Sequence, residues 1–199
     1  MPMPSARLLL LLDAAAAAGV AVWLDGGWGV DALLGAQHRV HDDADLVVRL
    51  EDVERLTVVL SAHGFSVAVD DLPTRLVLRT PDGEQVDLHP VTFDADGHGW
   101  QAGAAPDGSA CRYPADQFVD GTVDGRSVPC LGPQVQLEHH CGYVPRPHDI
   151  SDMRRLTSRF ALAMPEHYPD EDRRLDPPAV APPAARPVLG GRPLTRPDG

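Results

Sequence analysis

The chain has 199 residues, 43% of them hydrophobic, which suits one packed domain or a domain with a small appendage. Its formal net charge of −12 makes a poor surface for nucleic-acid phosphates and a better one for cationic ligands or metal ions. All 17 basic residues are arginine, which excludes chemistry that needs a lysine, such as the Walker phosphate loop and Schiff bases.

In chain order, residues 6–18 read as a helix capped by Ser5 and ended by Gly19. Arg7 with its leucine and alanine runs also looks like a secretory leader, but Asp13 interrupts the apolar stretch, so a first helix is expected. Residues 20–24 read as a strand, 25–27 as a turn and 28–34 as a helix stopped by Gly35. Residues 45–50 read as a strand and 52–63 as a helix, with Val53, Leu56, Val59 and Leu60 at helical spacing before Gly64. Strands follow at 65–69, 75–79 and 85–89, with a turn at 81–83. The segment 91–120 is turn-rich and takes no assignment. Residues 122–123 and 126–130 flank Asp124-Gly125 as a hairpin with a primed turn.

A helix at 133–141 begins with proline and stops before Gly142. The last helix, 149–162, takes Asp149 or Ser151 as its cap and presents Met153, Leu156, Phe160 and Ala163 on one face. From residue 169 on, eight prolines in 31 residues predict a disordered tail. The expected division is a core over 1–131, a C-terminal helical part over 132–168 and the tail over 169–199. Residues 1–168 carry the whole net charge, as 24 acids against 12 arginines. No run of about 20 uninterrupted apolar residues occurs, so no membrane span is expected. Cys111, Cys130 and Cys141 are odd in number and far apart, which reads as free thiols in a cytoplasmic protein.

The chemistry concentrates in three places. In HDDADLVV, strand alternation points Asp43 and Asp45 the same way, roughly 7 Å apart by Cα. Two converging carboxylates repel unless a cation sits between them, and oxygen ligands suit Mg²⁺, which also binds phosphates. Upstream, Leu24-Asp25-Gly26-Gly27 runs from strand through glycines into a helix, where backbone N–H groups can approach phosphate oxygens. Downstream, Asp87 is an acid inside the apolar Val86-Asp87-Leu88, a costly position unless it faces the same cation. Each alone also fits a solvated strand entry, a simple turn and an edge-strand surface residue; it is their combination in this order that points to a site.

That combination resembles the polymerase-beta-like nucleotidyltransferase core. WLDGGWGVDALLG, Arg39-x-His41, HDDADLVV, VDLHP and GYVPRPHDISDMRRL, with Tyr143 and Asp149-x-x-Asp152, resemble the aminoglycoside 2''-adenylyltransferases and related lincosamide nucleotidyltransferases over about residues 6–163. The resemblance implies an α+β fold, a mixed sheet flanked by helices with a small C-terminal helical part. It implies that Gly26 and Gly27 hold a triphosphate, that Asp43 and Asp45 bind Mg²⁺, and that Asp87 completes the metal site or takes a proton. Arg39 would touch phosphate or pair with a carboxylate, and His41 would orient one of the acids. His38 stands where the relatives usually have threonine.

The implied reaction moves a nucleoside monophosphate, AMP from ATP, to a hydroxyl of a small, cationic acceptor, first an aminoglycoside. Lincosamides or another metabolite are the alternative acceptors, and a non-catalytic nucleotide-binding regulator is the alternative role. Glu138, His139 and His140 are candidates to line the acceptor side, with Asp116, Asp120 and Glu84 more loosely placed. A zinc hydrolase using His89, His139, His140 and Cys141 would lack the usual ligand spacings.

Overall fold

The computed structural model describes residues 2–140, 144–166 and 168. Its spine is a mixed sheet. The strands are β1 (Val22–Asp25), β2 (Asp43–Arg49), β3 (Ser66–Asp71), β4 (Arg75–Arg79), β5 (Gln85–Phe93), β6 (Gly99–Gln101), β7 (Cys111–Tyr113), β8 (Phe118–Val123) and β9 (Arg126–Leu131). They are ordered β3-β4-β5-β2-β1-β9-β8, with β6 and β7 added beside β5. The pairs β2·β5 and β1·β9 are parallel and the others antiparallel. The helices are α1 (Ser5–Ala17), α2 (Gly26–Leu34), α3 (Val53–Ala62), α4 (Pro133–His139) and α5 (Pro147–Phe160). The α+β expectation and its mixed sheet are borne out.

Alternation along the central strands sorts the core from the site. Val22 and Leu24 of β1, Ala44, Leu46 and Val48 of β2, and Val86 and Leu88 of β5 share one buried cluster with Leu8, Leu11 and Leu12 of α1 and Leu56 and Leu60 of α3. The opposite face carries Trp23 and Asp25, Asp43 and Asp45, and Asp87 and His89. Burying a leucine or valine stabilises a fold by about 1.5–3 kcal/mol, so this layer holds the register of the strands that carry the acids. Helix α2 joins the main cluster through Trp28 and Ala32 and turns Val30 to Leu137, Met153 and Leu156 of α4 and α5.

Several boundaries differ from the sequence reading. Ser5 is the first helical residue; Pro4 is the cap and makes no side-chain bond. The expected turn at 25–27 is absent: β1 runs to Asp25 and α2 starts at Gly26, because the Asp25 carboxylate accepts from the Gly26 amide (2.8 Å) and caps the helix directly. Strand β2 starts two residues early, at Asp43. Helix α5 starts at Pro147 with Arg146 as cap, and Asp149 serves from the third position, accepting from the Arg146 amide (2.8 Å). Ala163 lies beyond that helix and is exposed. The hairpin turn has positive φ at both Asp124 (49°) and Gly125 (76°), as a primed turn requires. The expected end of the helix at Cys141-Gly142, together with Tyr143 and the tail from 169 on, lies outside the described residues.

Candidate active site

Strand pairing lines up carboxylates across three neighbouring strands. Asp25 is the register partner of Asp45, and Asp45 is the partner of Asp87. Asp43 lies two residues before Asp45 on the same face, opposite Gln85. In a parallel pair, residues in register project to the same side, so Asp87 turns toward Asp43 and Asp45. Asp25 and Asp87 are buried, and Asp43 and Asp45 half-buried. One ligand atom each from Asp45, Asp87 and His89 lies within 4.8 Å of the others, a spacing that fits a divalent cation.

The electrostatics agree with a site short of positive charge. Burial first, then repulsion from Asp45, Asp87 and Asp42, pushes Asp43 up to about 6, against a pull down from Arg39. Burial alone would raise Asp45 too, but the His89 ring (Nε2 to Oδ1, 3.4 Å) holds it below the ordinary value. Burial would lower His89, yet its contact with Asp45 and the charges of Asp45, Asp25 and Asp87 raise it to about 9. Asp87 already has a cation: Arg75 Nε donates to both of its oxygens (2.8 and 2.9 Å), and Arg75 Nη2 donates to Oδ2 as well.

The glycine elbow is packed so tightly that side chains are excluded. Gly26 has φ of 55°, and a Cβ there would strike the Asp45 carboxylate. A Cβ on Gly27 would strike Arg39 Nη2 and His41 Nδ1. Arg39 takes the second of its expected roles: Nε donates to the buried Asp152 of α5 (2.9 Å), tying the loop before β2 to the C-terminal helices. His41 orients no acid of the β2 pair. Its Nε2 lies 2.5 Å from Asp31 Oδ2 of α2, and its ring packs at a tilt of 40° against Trp28 with centroids 4.5 Å apart. His38 joins the same carboxylate through its amide (3.1 Å) and Nδ1 (3.0 Å) and makes a second polar anchor there.

Three adjoining cavities open on the acids. One of about 500 Å³ touches Gly26, Gly27, Arg39, Asp43, Asp45 and Asp87. A second of about 320 Å³ reaches under β6 and β7, past Thr74, Arg75, Gln101, Cys111 and Tyr113. A third of about 500 Å³ joins them along Asp25, Asp45, His89, His139 and His140. Glu138 is exposed and bonded to Gln134 (2.7 Å), away from these cavities. His139 lines two of them, with its Nε2 3.3 Å from Cys111 Sγ. Asp116 and Asp120 are exposed and line none of the three, and Glu84 accepts from Arg7 (3.0 Å).

Four residues at the site have no assigned role in the transferase reading of the sequence: Asp25, Arg75, Gln101 and His89, the last named there only as a zinc-hydrolase ligand. Asp25 carries a signal, an acid at the end of an apolar strand, but its glycine neighbours make it read as a turn. His89 stood two residues from Asp87, the spacing that puts both on one strand face. Arg75 and Gln101 gave no local sign, since their partners are distant in sequence.

Comparison with known proteins agrees with this fold. The family model described as Aminoglycoside-2''-adenylyltransferase matches residues 7–156. A lincosamide resistance protein of Staphylococcus haemolyticus is 32% identical over 76% of this chain and 93% of its own length. A 2''-aminoglycoside nucleotidyltransferase of Escherichia coli is 31% identical, over 60% of this chain and 63% of that protein. The crystal structure of the lincosamide antibiotic adenylyltransferase LnuA, lincomycin-bound, superposes with a TM-score of 0.71 and 31% identity, covering 79% of this chain and 99% of that one. ANT(2'')-Ia in complex with adenylyl-2''-tobramycin, at 22% identity and a TM-score of 0.59 over 77% of this chain and 87% of that one, shares the fold. The chain belongs to the aminoglycoside-2''-adenylyltransferase family and is a nucleotidyltransferase of the antibiotic-resistance type.

Proposed function

We propose that the protein transfers AMP from ATP to a hydroxyl of a small antibiotic, with Asp43, Asp45 and Asp87 as the catalytic and metal-binding carboxylates. The observation that carries this reading is the in-register row of Asp25, Asp45 and Asp87, with Asp43 beside it, next to an elbow where only glycine fits. A Mg²⁺ ion held there would offset charge on the entering and leaving oxygens of an in-line displacement. The remaining work falls to the chain. Gly26 and Gly27 let phosphate approach the start of α2, whose N-terminus favours anions. Arg39, anchored by Asp152, lines the same cavity and offers its guanidinium to phosphate. Asp87 helps to deprotonate the acceptor hydroxyl or completes the metal site, and its ion pair with Arg75 fixes where its carboxylate points.

The acceptor reading shifts from aminoglycoside toward lincosamide. The acids expected to hold a polycation lie elsewhere: Glu84 is paired with Arg7, and Asp116 and Asp120 face solvent. The cavity beneath β6 and β7 has one carboxylate, Asp25, beside Arg75, His89 and His139 and the apolar Ala104, Pro106 and Cys111. Such a lining suits a sparsely charged, partly apolar acceptor. The lincosamide resistance protein and lincomycin-bound LnuA support the same choice.

The test is pyrophosphate release with Mg²⁺, each nucleoside triphosphate in turn, and panels of lincosamides and aminoglycosides. Release with ATP and a lincosamide is the expected result. Release with aminoglycosides alone reverses the acceptor assignment. Nucleotide binding without release under every condition supports a regulator of the same fold instead.

A further inference from the structure

Among the described residues, one buried hydrogen-bonded chain at the site has no part in the scheme above. It runs from Tyr113 through Gln101 to His89 and ends on Asp45. Tyr113 is 2% and Gln101 5% exposed. The Tyr113 hydroxyl donates to Gln101 Oε1 (2.5 Å), and Gln101 Nε2 donates to the Thr74 carbonyl (2.8 Å). The same Nε2 lies 3.3 Å from His89 Nδ1, and His89 Nε2 lies 3.4 Å from Asp45 Oδ1.

The Thr74 carbonyl decides the direction of the whole chain. A carbonyl can only accept, so the Gln101 amide must present its nitrogen to it. Reversing the amide would set two oxygens against each other and leave a buried acceptor unpaired, which is costly. The second hydrogen of that nitrogen is then available to His89 Nδ1, which accepts it when the ring is neutral. In the neutral ring the proton must therefore sit on Nε2. In the charged ring Nε2 is protonated as well. The conclusion is the same in either charge state: Nε2 faces Asp45 with a hydrogen and no free lone pair.

We propose that His89 is a positioning residue for Asp45 rather than a metal ligand, and that Gln101, braced by Thr74 and Tyr113, fixes the ring in that role. Proximity alone would count His89 as a third ligand beside Asp45 and Asp87. The hydrogen-bond direction removes it from that set. The ring instead donates to Asp45 Oδ1 and restricts the rotation of a carboxylate that must keep its other oxygen toward the ion. Partners of this kind hold ligand geometry, and their loss typically costs ~10–100-fold in affinity or activity. The proposal rests on the transferase reading for what Asp45 does, but not for the state of the ring.

The experiment uses the full chain with histidine ¹⁵N-labelled, bound to Mg²⁺ and a non-hydrolysable ATP analogue. The expected spectrum has His89 Nε2 protonated. His89→Leu should lower kcat by ~10–100-fold with both KM values changed by less than ~3-fold, and His89→Gln, which keeps an N–H near the Nε2 position, should recover most of the loss. Recorded where the ring is neutral, Gln101→Leu should give a mixed Nε2 signal, and its kcat should be lower by about 10-fold. Should that variant fail to fold, Tyr113→Phe is the milder substitute and should shift the same signal.

An unprotonated Nε2 in wild type overturns the proposal. So does a directly bound ¹⁴N in the electron-spin-echo spectrum of the Mn²⁺-loaded protein that vanishes in His89→Gln. Equal losses in His89→Leu and His89→Gln also overturn it. A wild type that transfers to no acceptor but shows protonated Nε2 sinks the transferase reading and leaves the ring assignment standing. An active enzyme with unprotonated Nε2 does the reverse.

Discussion

The pair β2·β5 and the pair β6·β7 build the two sides of one cleft by opposite means. On the β2·β5 side, seven registered positions run from Asp43↔Gln85 to Arg49↔Val91, and alternate residues are locked in the main core. Acids can be crowded there because the apolar side of each strand supplies the stability. The β6·β7 side rests on two three-residue strands, with polar side chains such as Gln101 and Tyr113 buried and bonded to one another. The first side places charge by strand register, and the second places hydrogen-bond direction by side-chain partners. On the proposed function, the charge the reaction needs is kept where the backbone is most constrained, and acceptor shape is left to short elements.

The sharpest way to break this comparison is to neutralise the registered acids. Asp45→Asn or Asp43→Asn should lower turnover by at least ~100-fold while the fold is retained, as measured by initial rates and circular dichroism. Near-native rates in either variant would mean that the β2·β5 side does not carry the chemistry. Next in size is Gly27→Ala, whose methyl group would displace Arg39 and His41. It should raise the nucleotide KM by about 10-fold and destabilise the protein by ~1–3 kcal/mol, the usual cost of overpacking.

A smaller effect follows from pH. Asp43 is raised from 3.8 to about 6 in the folded, ion-free protein. A carboxyl raised on folding favours the protonated native state, so its contribution is full below about pH 4 and lost as pH rises through about 6. The ion-free protein should therefore lose about 1 kcal/mol from this group between those limits, after allowance for solvent screening. Thermal melts of wild type against Asp43→Asn should show the difference, and added Mg²⁺ should stabilise wild type more at pH 7 than at pH 5. A Mg²⁺ effect independent of pH would separate Asp43 from the ion.

The smallest effect should come from acids outside the cleft. Asp120→Asn and Glu138→Gln should change the acceptor KM by less than about twofold, as exposed substitutions away from a site do. A larger change in either would return those residues to the acceptor side.

Legibility in the sequence followed the range of the interaction. The same-face relation of Asp43 and Asp45 is a property of one strand, and the hairpin at Asp124-Gly125 is a property of one turn, so both could be read directly. The segment 91–120 could not, because β6 and β7 are too short to show a period and are held by pairing with β5 and with each other. Asp25 was misread for a related reason: as the last residue of a four-residue strand it looks like a turn, and its pairing with Asp45 shows its place. Ser5 was a cap by residue type alone, whereas the chain enters α1 through Pro4.

The sequence by itself determined the alternation of helices and strands, the acids of HDDADLVV and the glycines ahead of them, because each depends on neighbours a few residues away. Only the tertiary structure decided that β5 lies parallel beside β2, which sets Asp87 in line with Asp45 across 42 residues of chain. It also decided that Arg75 pairs with Asp87, that Arg39 pairs with Asp152, and that a backbone carbonyl at Thr74 turns an amide and through it an imidazole. Those contacts join residues whose separation in sequence carries no information about their separation in space, and the strand order that brings them together is fixed by burial of the opposite, apolar face.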